Sequence, residues 1–238
     1  MGNSYFRFKQ FQVNQEKTGM KVCTDSCIFG AYIDPGEAKN ILDIGSGTGL
    51  LSLMLAQKST AEIDAVEIDV DAALQSEENF KNCQWKDRLH IFSSSIQNFS
   101  ASAMKKYDLI ISNPPFFSNH LLSPNPKLNK AIHNTTLSLK DLSESVASLL
   151  SCEGKFYVLL PPYEASVFEE ILGEANLFLQ DRLEIKDKNE GKIIRVIDCY
   201  SNTRIATTSS NKSFIIKNSK GQYTSEFSDL LRPYYLFL

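Results

Sequence analysis

The segment Ile41-Leu42-Asp43-Ile44-Gly45-Ser46-Gly47-Thr48-Gly49 constrains the fold more than any other part of the chain. A short apolar run is followed at once by three alternate glycines and then by a longer apolar stretch, which is the pattern of a buried strand turning tightly into a helix. From Asn40 onward the pattern repeats. Strands are predicted at 40–44, 61–66, 89–93, 107–112, 154–160, 181–186 and 192–200, and helices at 49–57, 70–82, 138–150 and 163–175. Such alternation predicts a Rossmann-like α/β fold: a seven-stranded, mostly parallel sheet with helices on both faces. The polar turn Asp187–Gly191 joins the last two strands, so the final strand is expected to run antiparallel. Phe117–Asn134, with Pro124 and Pro126, reads as a long loop at a strand's C-terminal end, and Ser201–Ser213 reads as a surface connection.

A chain of 238 residues with 42% hydrophobic side chains can bury one core, so a single domain over 1–238 is expected. Within it, 1–39 form an N-terminal extension, 40–200 the core and 201–238 a tail packed on the core. No apolar run approaches the length of a membrane span and the first residues lack a signal-peptide pattern, which predicts a soluble, cytoplasmic protein without a membrane partner. Five cysteines without a secretion signal read as reduced thiols. Cys23 and Cys27 have a spacing that could suit two metal ligands, but no second pair completes a site, and no metal is expected. A net charge of −3 does not mark a nucleic-acid binder. Its distribution is uneven, however, with Arg7, Lys9, Lys17 and Lys21 set against Glu16 alone in the first 22 residues.

Glycines after a strand let the backbone turn sharply and bring helix N–H groups into contact with a ligand. Glu67, 24 residues after Asp43 and at the end of the second core strand, can accept hydrogen bonds from both hydroxyls of a ribose. Gly49 stands two positions after Gly47, whereas a dinucleotide fingerprint places its third glycine three positions on, and Asp43 would repel a pyrophosphate. A nucleoside cofactor with a cationic, amino-acid end fits these residues. S-adenosylmethionine, with a sulfonium and an α-amino group, is such a cofactor.

The strand Tyr107–Ser112 delivers Asn113-Pro114-Pro115-Phe116 to the sheet's C-terminal edge, where α/β folds bind ligands. An exocyclic amine on a purine is a poor nucleophile because its lone pair is delocalised into the ring. The Asn113 side-chain oxygen and the Pro114 carbonyl can each accept one of its N–H groups, favouring a pyramidal nitrogen. The two prolines fix φ and remove competing donors, and Phe116 offers a flat face to an extruded base. A rigid turn with a core aromatic is the alternative reading of the same four residues.

These motifs resemble class I methyltransferases of the amino-methylating group. Nearly end to end, the chain is similar to the bacterial family that methylates N6 of the adenosine 3′ to the anticodon of a valine tRNA. The resemblance is carried by Phe8-Lys9-Gln10-Phe11, Met20-Lys21-Val22-Cys23-Thr24-Asp25 with Gly30-Ala31, the glycine turn, Asn113–Phe116, His133 with Leu137, and Gly221-Gln222-Tyr223-Thr224. It implies that Asp43, Gly45, Gly47, Gly49 and Glu67 bind the cofactor, that Asp25 and the helix after it lie beside the cofactor's methionine end, and that the partner is tRNA. Asp25 or Thr24 would serve equally well as a helix N-cap. Ser95 stands where such enzymes present an Asp to the cofactor's adenine, and Ile132 stands where they carry an arginine before His133. Lys9, Lys21, Lys127, Lys130 and His133 are the expected RNA contacts, and a monomer is expected.

Other functions compatible with Asn113–Phe116 are N2 methylation of guanine in ribosomal RNA, methylation of a protein glutamine amide and DNA adenine methylation. The first and last usually need an additional domain, and the second usually has Tyr where Phe116 stands. A catalytically silent RNA-binding module is the reading from outside the enzymes, and intact Asp43, Glu67 and Asn113 argue against it.

Overall fold

The computed structural model describes residues 3–18, 21–115, 137–204 and 212–238. Side chains alternate across each central strand, so neighbouring apolar residues enter different cores. In β3 (Asn40–Ile44), Ile41 packs with Leu109 and Ile111 of β6 (Tyr107–Ser112) on one face, while Leu42 packs with Ile110 on the other. The first face is covered by α1 (Thr24–Tyr32), α2 (Leu50–Lys58), α3 (Val70–Lys81) and α7 (Ser225–Leu231). The second is covered by α4 (Ile96–Ser102), α5 (Leu139–Leu149) and α6 (Pro162–Glu174).

The remaining strands of the main sheet are β4 (Glu62–Glu67), β5 (Leu89–Ser93), β7 (Leu150–Leu160), β8 (Phe178–Lys188), β9 (Ile193–Ser201) and β10 (Lys212–Lys217). Their order is β10-β8-β9-β7-β6-β3-β4-β5, with only β9 running against its neighbours β7 and β8. All seven predicted strands are present, and the final one of that set is the antiparallel strand. The order reverses between β3 and β6, and a crevice outside the carboxyl ends of the strands at such a switch point is where open α/β sheets bind ligands. Ser112 Oγ ties the two strand ends together there by donating to the Ile44 carbonyl at 2.9 Å.

An eighth strand corrects the sequence reading. The expected surface connection over 201–213 ends earlier, because Lys212 and Ser213 already pair with β8. Phe214 and Ile216 alternate inward from β10, Phe214 onto the Phe227 ring of α7, but the apolar Ile215 between them breaks the period-two signal. In the tail, Tyr234 and Tyr235 are buried in the first core, and Phe237 stays largely exposed.

The N-terminal extension forms a small hairpin, β1 (Tyr5–Arg7) with β2 (Gln12–Asn14), whose flanking Phe8, Phe11 and Val13 join the first core. Residues 14–17 after it hydrogen-bond to α3. Helix α2 is buried at every position from Leu50 to Ala56, lacking the polar stripe of a surface helix, because α1 packs over it. Their approach is close enough that a Cβ on Gly30 would come within 2.6 Å of Met54 Sδ. Among the described residues no helix is long and apolar enough to cross a membrane.

Candidate active site

Three positive φ angles, +73° at Gly45, +56° at Gly47 and +78° at Gly49, carry the chain from β3 into α2. Gly45 and Ser46 donate their N–H groups to the Val66 carbonyl at 2.8 and 3.2 Å, which pins the turn to the end of β4. The opposite side is held by a polar face of α3. Ser76 Oγ donates to the Gly47 carbonyl at 2.8 Å and Asn79 Nδ2 to the Thr48 carbonyl at 2.9 Å. Gly49 is irreplaceable on two grounds: its left-handed backbone, and a Cβ that would stand 2.5 Å from the Phe80 ring. Gly49→Ala is expected to destabilise the protein by about 2–4 kcal/mol. Denaturant unfolding checks this, and a loss below the reproducibility of the midpoint would show that Phe80 yields freely.

Two carboxylates flank the turn. Glu67 accepts from Gly47 N–H at 2.8 Å and from Asp69 N–H at 2.9 Å, one bond per oxygen, so lone pairs remain for a ribose diol. Asp43 is 0% exposed. Its Oδ2 accepts from the Ser52 N–H at 3.2 Å and hydroxyl at 2.7 Å, while Oδ1 is buried without a partner. Burial pushes the Asp43 carboxyl up to about 7; the nearby Glu67 charge adds to the shift and the Ser52 bonds oppose it.

The turn opens on a cleft of about 720 Å³ at the switch point. Gly45, Gly47 and Glu67 line one wall, Ser94 to Gln97 another, and Asn113 to Pro115 the edge of β6. Thr18, Lys21 and Val22 arrive from the N-terminal extension. Asn113 Nδ2 donates to Ser26 Oγ at 2.9 Å, leaving Oδ1 buried with no partner. Such orphaned acceptors are rare because an unpaired buried oxygen is unfavourable. The bare Asn113 Oδ1 beside the cleft and the free lone pairs of Glu67 fit donors from outside the chain, a target amine and a ribose diol. The residues therefore fit S-adenosylmethionine.

Gly45, Gly47, Glu67, Ser95, Asn113, Pro114 and Pro115 line one cleft, whereas Asp43 at the end of β3 and Gly49 at the start of α2 hold the turn without lining it. Ser95 lines the cleft, but its hydroxyl also caps α4, accepting from Asn98 N–H at 3.2 Å. Two expectations are corrected. Asp25 does not line the cleft; its carboxylate accepts from Ser26 N–H at 3.0 Å and pairs with Arg195 of β9 at 3.2 Å, and Ser26 takes the place beside the cleft. Lys9 is no free RNA contact, since its ammonium donates to the main-chain oxygens of Arg232 and Leu238 at 2.6 and 2.9 Å. Lys21 lines the cleft mouth, its ammonium 3.3 Å from the Asn3 carbonyl. Phe116, Lys127, Lys130 and His133 lie outside the described residues.

Sequence reasoning missed Ser26 and the buried polar face of α3. That face holds the N-terminal extension as well as the turn. Asn79 exchanges two hydrogen bonds with the Asn14 backbone at 2.9 and 3.0 Å, and Gln75 Oε1 accepts from Glu16 and Lys17 N–H at 3.2 and 3.3 Å. Nothing local signals this; the only hint is that Gln75, Ser76 and Asn79 share a helical face with Ala72.

Comparison with known proteins agrees with the geometry. Residues 21–147 match the methyltransferase small domain family. Among solved structures, a predicted O-methyltransferase from Agrobacterium tumefaciens superposes with a TM-score of 0.67 at 14% identity, covering 87% of this chain and 95% of the other. The ribosomal protein L11 methylase of Lactobacillus delbrueckii subsp. bulgaricus gives 0.52 at 16% identity, covering 76% and 77%. At those identities the likeness is one of fold. The sequence relatives are much nearer. A tRNA1(Val) (adenine(37)-N6)-methyltransferase from Cytophaga hutchinsonii is 44% identical over 100% of both chains, and one of the same name from Dyadobacter fermentans is 41% identical over 98% of both. With full-length relatives of that identity and the glycine turn, Glu67 and Asn113 converging on one cleft, the chain belongs to the tRNA1(Val) (adenine(37)-N6)-methyltransferase family.

Proposed function

We propose that this chain transfers a methyl group from S-adenosylmethionine to the exocyclic N6 amine of an adenosine in tRNA, the adenosine 3′ to the anticodon of a valine tRNA. The observation that carries the reading is the unpartnered Asn113 Oδ1 in the same cleft as the glycine turn and Glu67. When bound, the cofactor supplies an electrophilic methyl on a sulfonium, which becomes a neutral thioether as the carbon–sulfur bond breaks and the carbon–nitrogen bond forms. Asn113 Oδ1 and the Pro114 carbonyl each accept one N–H of the target amine, turning its lone pair along the line of transfer. No strong base is needed, because the nitrogen releases its proton to solvent after it has gained the methyl.

Around that centre, Glu67 accepts from the cofactor's ribose, Asp43 faces its amino-acid end, and Ser95 at the start of α4 meets its adenine. Phe116 stacks on the extruded base. Lys21 at the cleft mouth meets the RNA backbone, with Lys127, Lys130 and His133 as further contacts. The enzyme works in the cytoplasm as a one-domain monomer without a metal.

The test incubates the monomeric fraction, in EDTA, with methyl-labelled cofactor and total RNA from a strain lacking the gene. Labelled N6-methyladenosine confined to tRNA is the expected result. Label in N2-methylguanosine or in protein glutamine would overturn the reading.

A further inference from the structure

We propose that a groove between β1 and the C-terminal tail holds an unpaired nucleotide of the substrate RNA, next to the base being methylated. The inference rests on the reading of that substrate as tRNA. Lys9 N–H donates to the Tyr234 carbonyl at 2.8 Å, which sets the tail against the chain just after β1. Beside that contact a groove of about 360 Å³ lies between residues 3–7 and the pair Leu236 and Phe237.

Its position ties it to the active site. Asn3 belongs to the groove and Lys21 to the mouth of the cleft, and the Lys21 ammonium donates to the Asn3 carbonyl at 3.3 Å. Buried Gln15 clasps the same junction: its Nε2 donates to the Asn3 carbonyl at 3.0 Å, and its Oε1 accepts from the N–H of Val22, another residue of the cleft wall, at 2.8 Å. An RNA strand with one base in the cleft therefore brings its neighbour to the groove.

The lining suits that neighbour. Tyr5 is 51% exposed and Phe237 64%, with Leu236 exposed beside them, and large apolar side chains left bare together mark a surface that something covers. Phe237 is held as a flat face, its ring 28° from parallel to Tyr223, which itself stacks on Phe227 of α7. Gly221, at a φ of +78°, makes the turn that returns Tyr223 to pair with Lys217 at the end of β10, which gives the Gly221–Thr224 motif a task. Exposed Arg7 makes no ion pair among the described residues, and no acidic residue lines the groove. Aromatic faces with a free cation and no carboxylate take a base and its phosphate. Turning the target base out of its stack uncovers the faces of its neighbours, and the groove gives one of them a ring to stack on.

The test measures binding of a valine tRNA transcript by fluorescence anisotropy, and cofactor binding by calorimetry. Tyr5→Ala and Phe237→Ala are each expected to raise the RNA Kd about fivefold or more, and the KM for RNA with it, while the cofactor Kd stays within twofold. Tyr5→Phe keeps the ring and should bind RNA as the parent protein does. Arg7→Ala should flatten the slope of log Kd against log salt concentration by about 0.7. RNA affinity within twofold of the parent in both alanine variants would overturn the proposal and leave the groove to a protein partner; so would a loss in Tyr5→Phe equal to that in Tyr5→Ala. If the alanine variants fail to fold, the Arg7→Ala slope decides, and an unchanged slope overturns the proposal. A parent protein that binds the transcript through this groove but places no methyl on adenosine N6 strikes the reading of the reaction and leaves the groove standing, which keeps the two failures apart.

Discussion

Turnover of Asn113→Ala is expected to fall by about 10²–10³, while cofactor affinity stays within twofold of the parent protein. Among the described residues the side chain makes one hydrogen bond, to Ser26, and its Oδ1 is buried without a partner. An acceptor held in that state stabilises only what arrives from outside. On the proposed reading that is the amine whose nitrogen gains positive charge as the methyl transfers, so its N–H groups become better donors during the step itself. An interaction that strengthens on the way to the transition state appears in kcat, and a factor of 10²–10³ corresponds to about 3–4 kcal/mol. Single-turnover transfer of labelled methyl gives the chemical step, and calorimetric titration of the cofactor gives binding. Equal losses in both would place Asn113 in the cofactor site.

Asp43→Asn is expected to raise stability and weaken binding together. Burial above all holds the parent carboxyl near 7, against an ordinary 3.8, so the folded protein binds this proton more tightly than the unfolded chain. Stability from that preference is fully present below about pH 4 and is lost as pH rises through about 7, a swing on the order of 4 kcal/mol. Asparagine carries no such penalty. The cofactor-free variant should therefore melt above the parent protein at pH 8, with the gap narrowing toward pH 4.

Binding goes the other way. A cofactor ammonium pairs with the ionised carboxylate, so parent affinity should climb as pH rises through about 7, and the variant should bind at least tenfold more weakly with little dependence on pH from 6 to 8. Thermal melts and titration calorimetry across pH report both. Undiminished affinity in the variant would make Asp43 a support for Ser52 and nothing more.

The parts legible in the sequence are those whose signal is local. The strand ending in Asp43-Ile44, the three alternate glycines and the strand that presents Asn113 are each written in consecutive residues, and the structure puts them at one crevice. What escaped depends on partners far along the chain. Helix α1 is expected only from the resemblance and a cap residue, because its buried run from Ser26 to Gly30 carries no amphipathic period. The hairpin of β1 and β2 has three-residue strands that exist because Phe8, Phe11 and Val13 reach the core. The resemblance points Asp25 toward the cofactor, but its ion-pair partner is Arg195, brought alongside by the return of β9 through the middle of the sheet.

The polar face of α3 bears on how such enzymes could be re-targeted. Residues 14–17 and the glycine turn hang from one face of the same helix: Gln75 holds the first, Ser76 the second and Asn79 both. The N-terminal segment and the glycine turn are therefore not separable modules but one cooperative unit. A chimera that imports only the leading segment of another family member would lose its docking partners on α3 and slacken the glycine turn as well. Grafting the segment together with the helix that carries it keeps both intact.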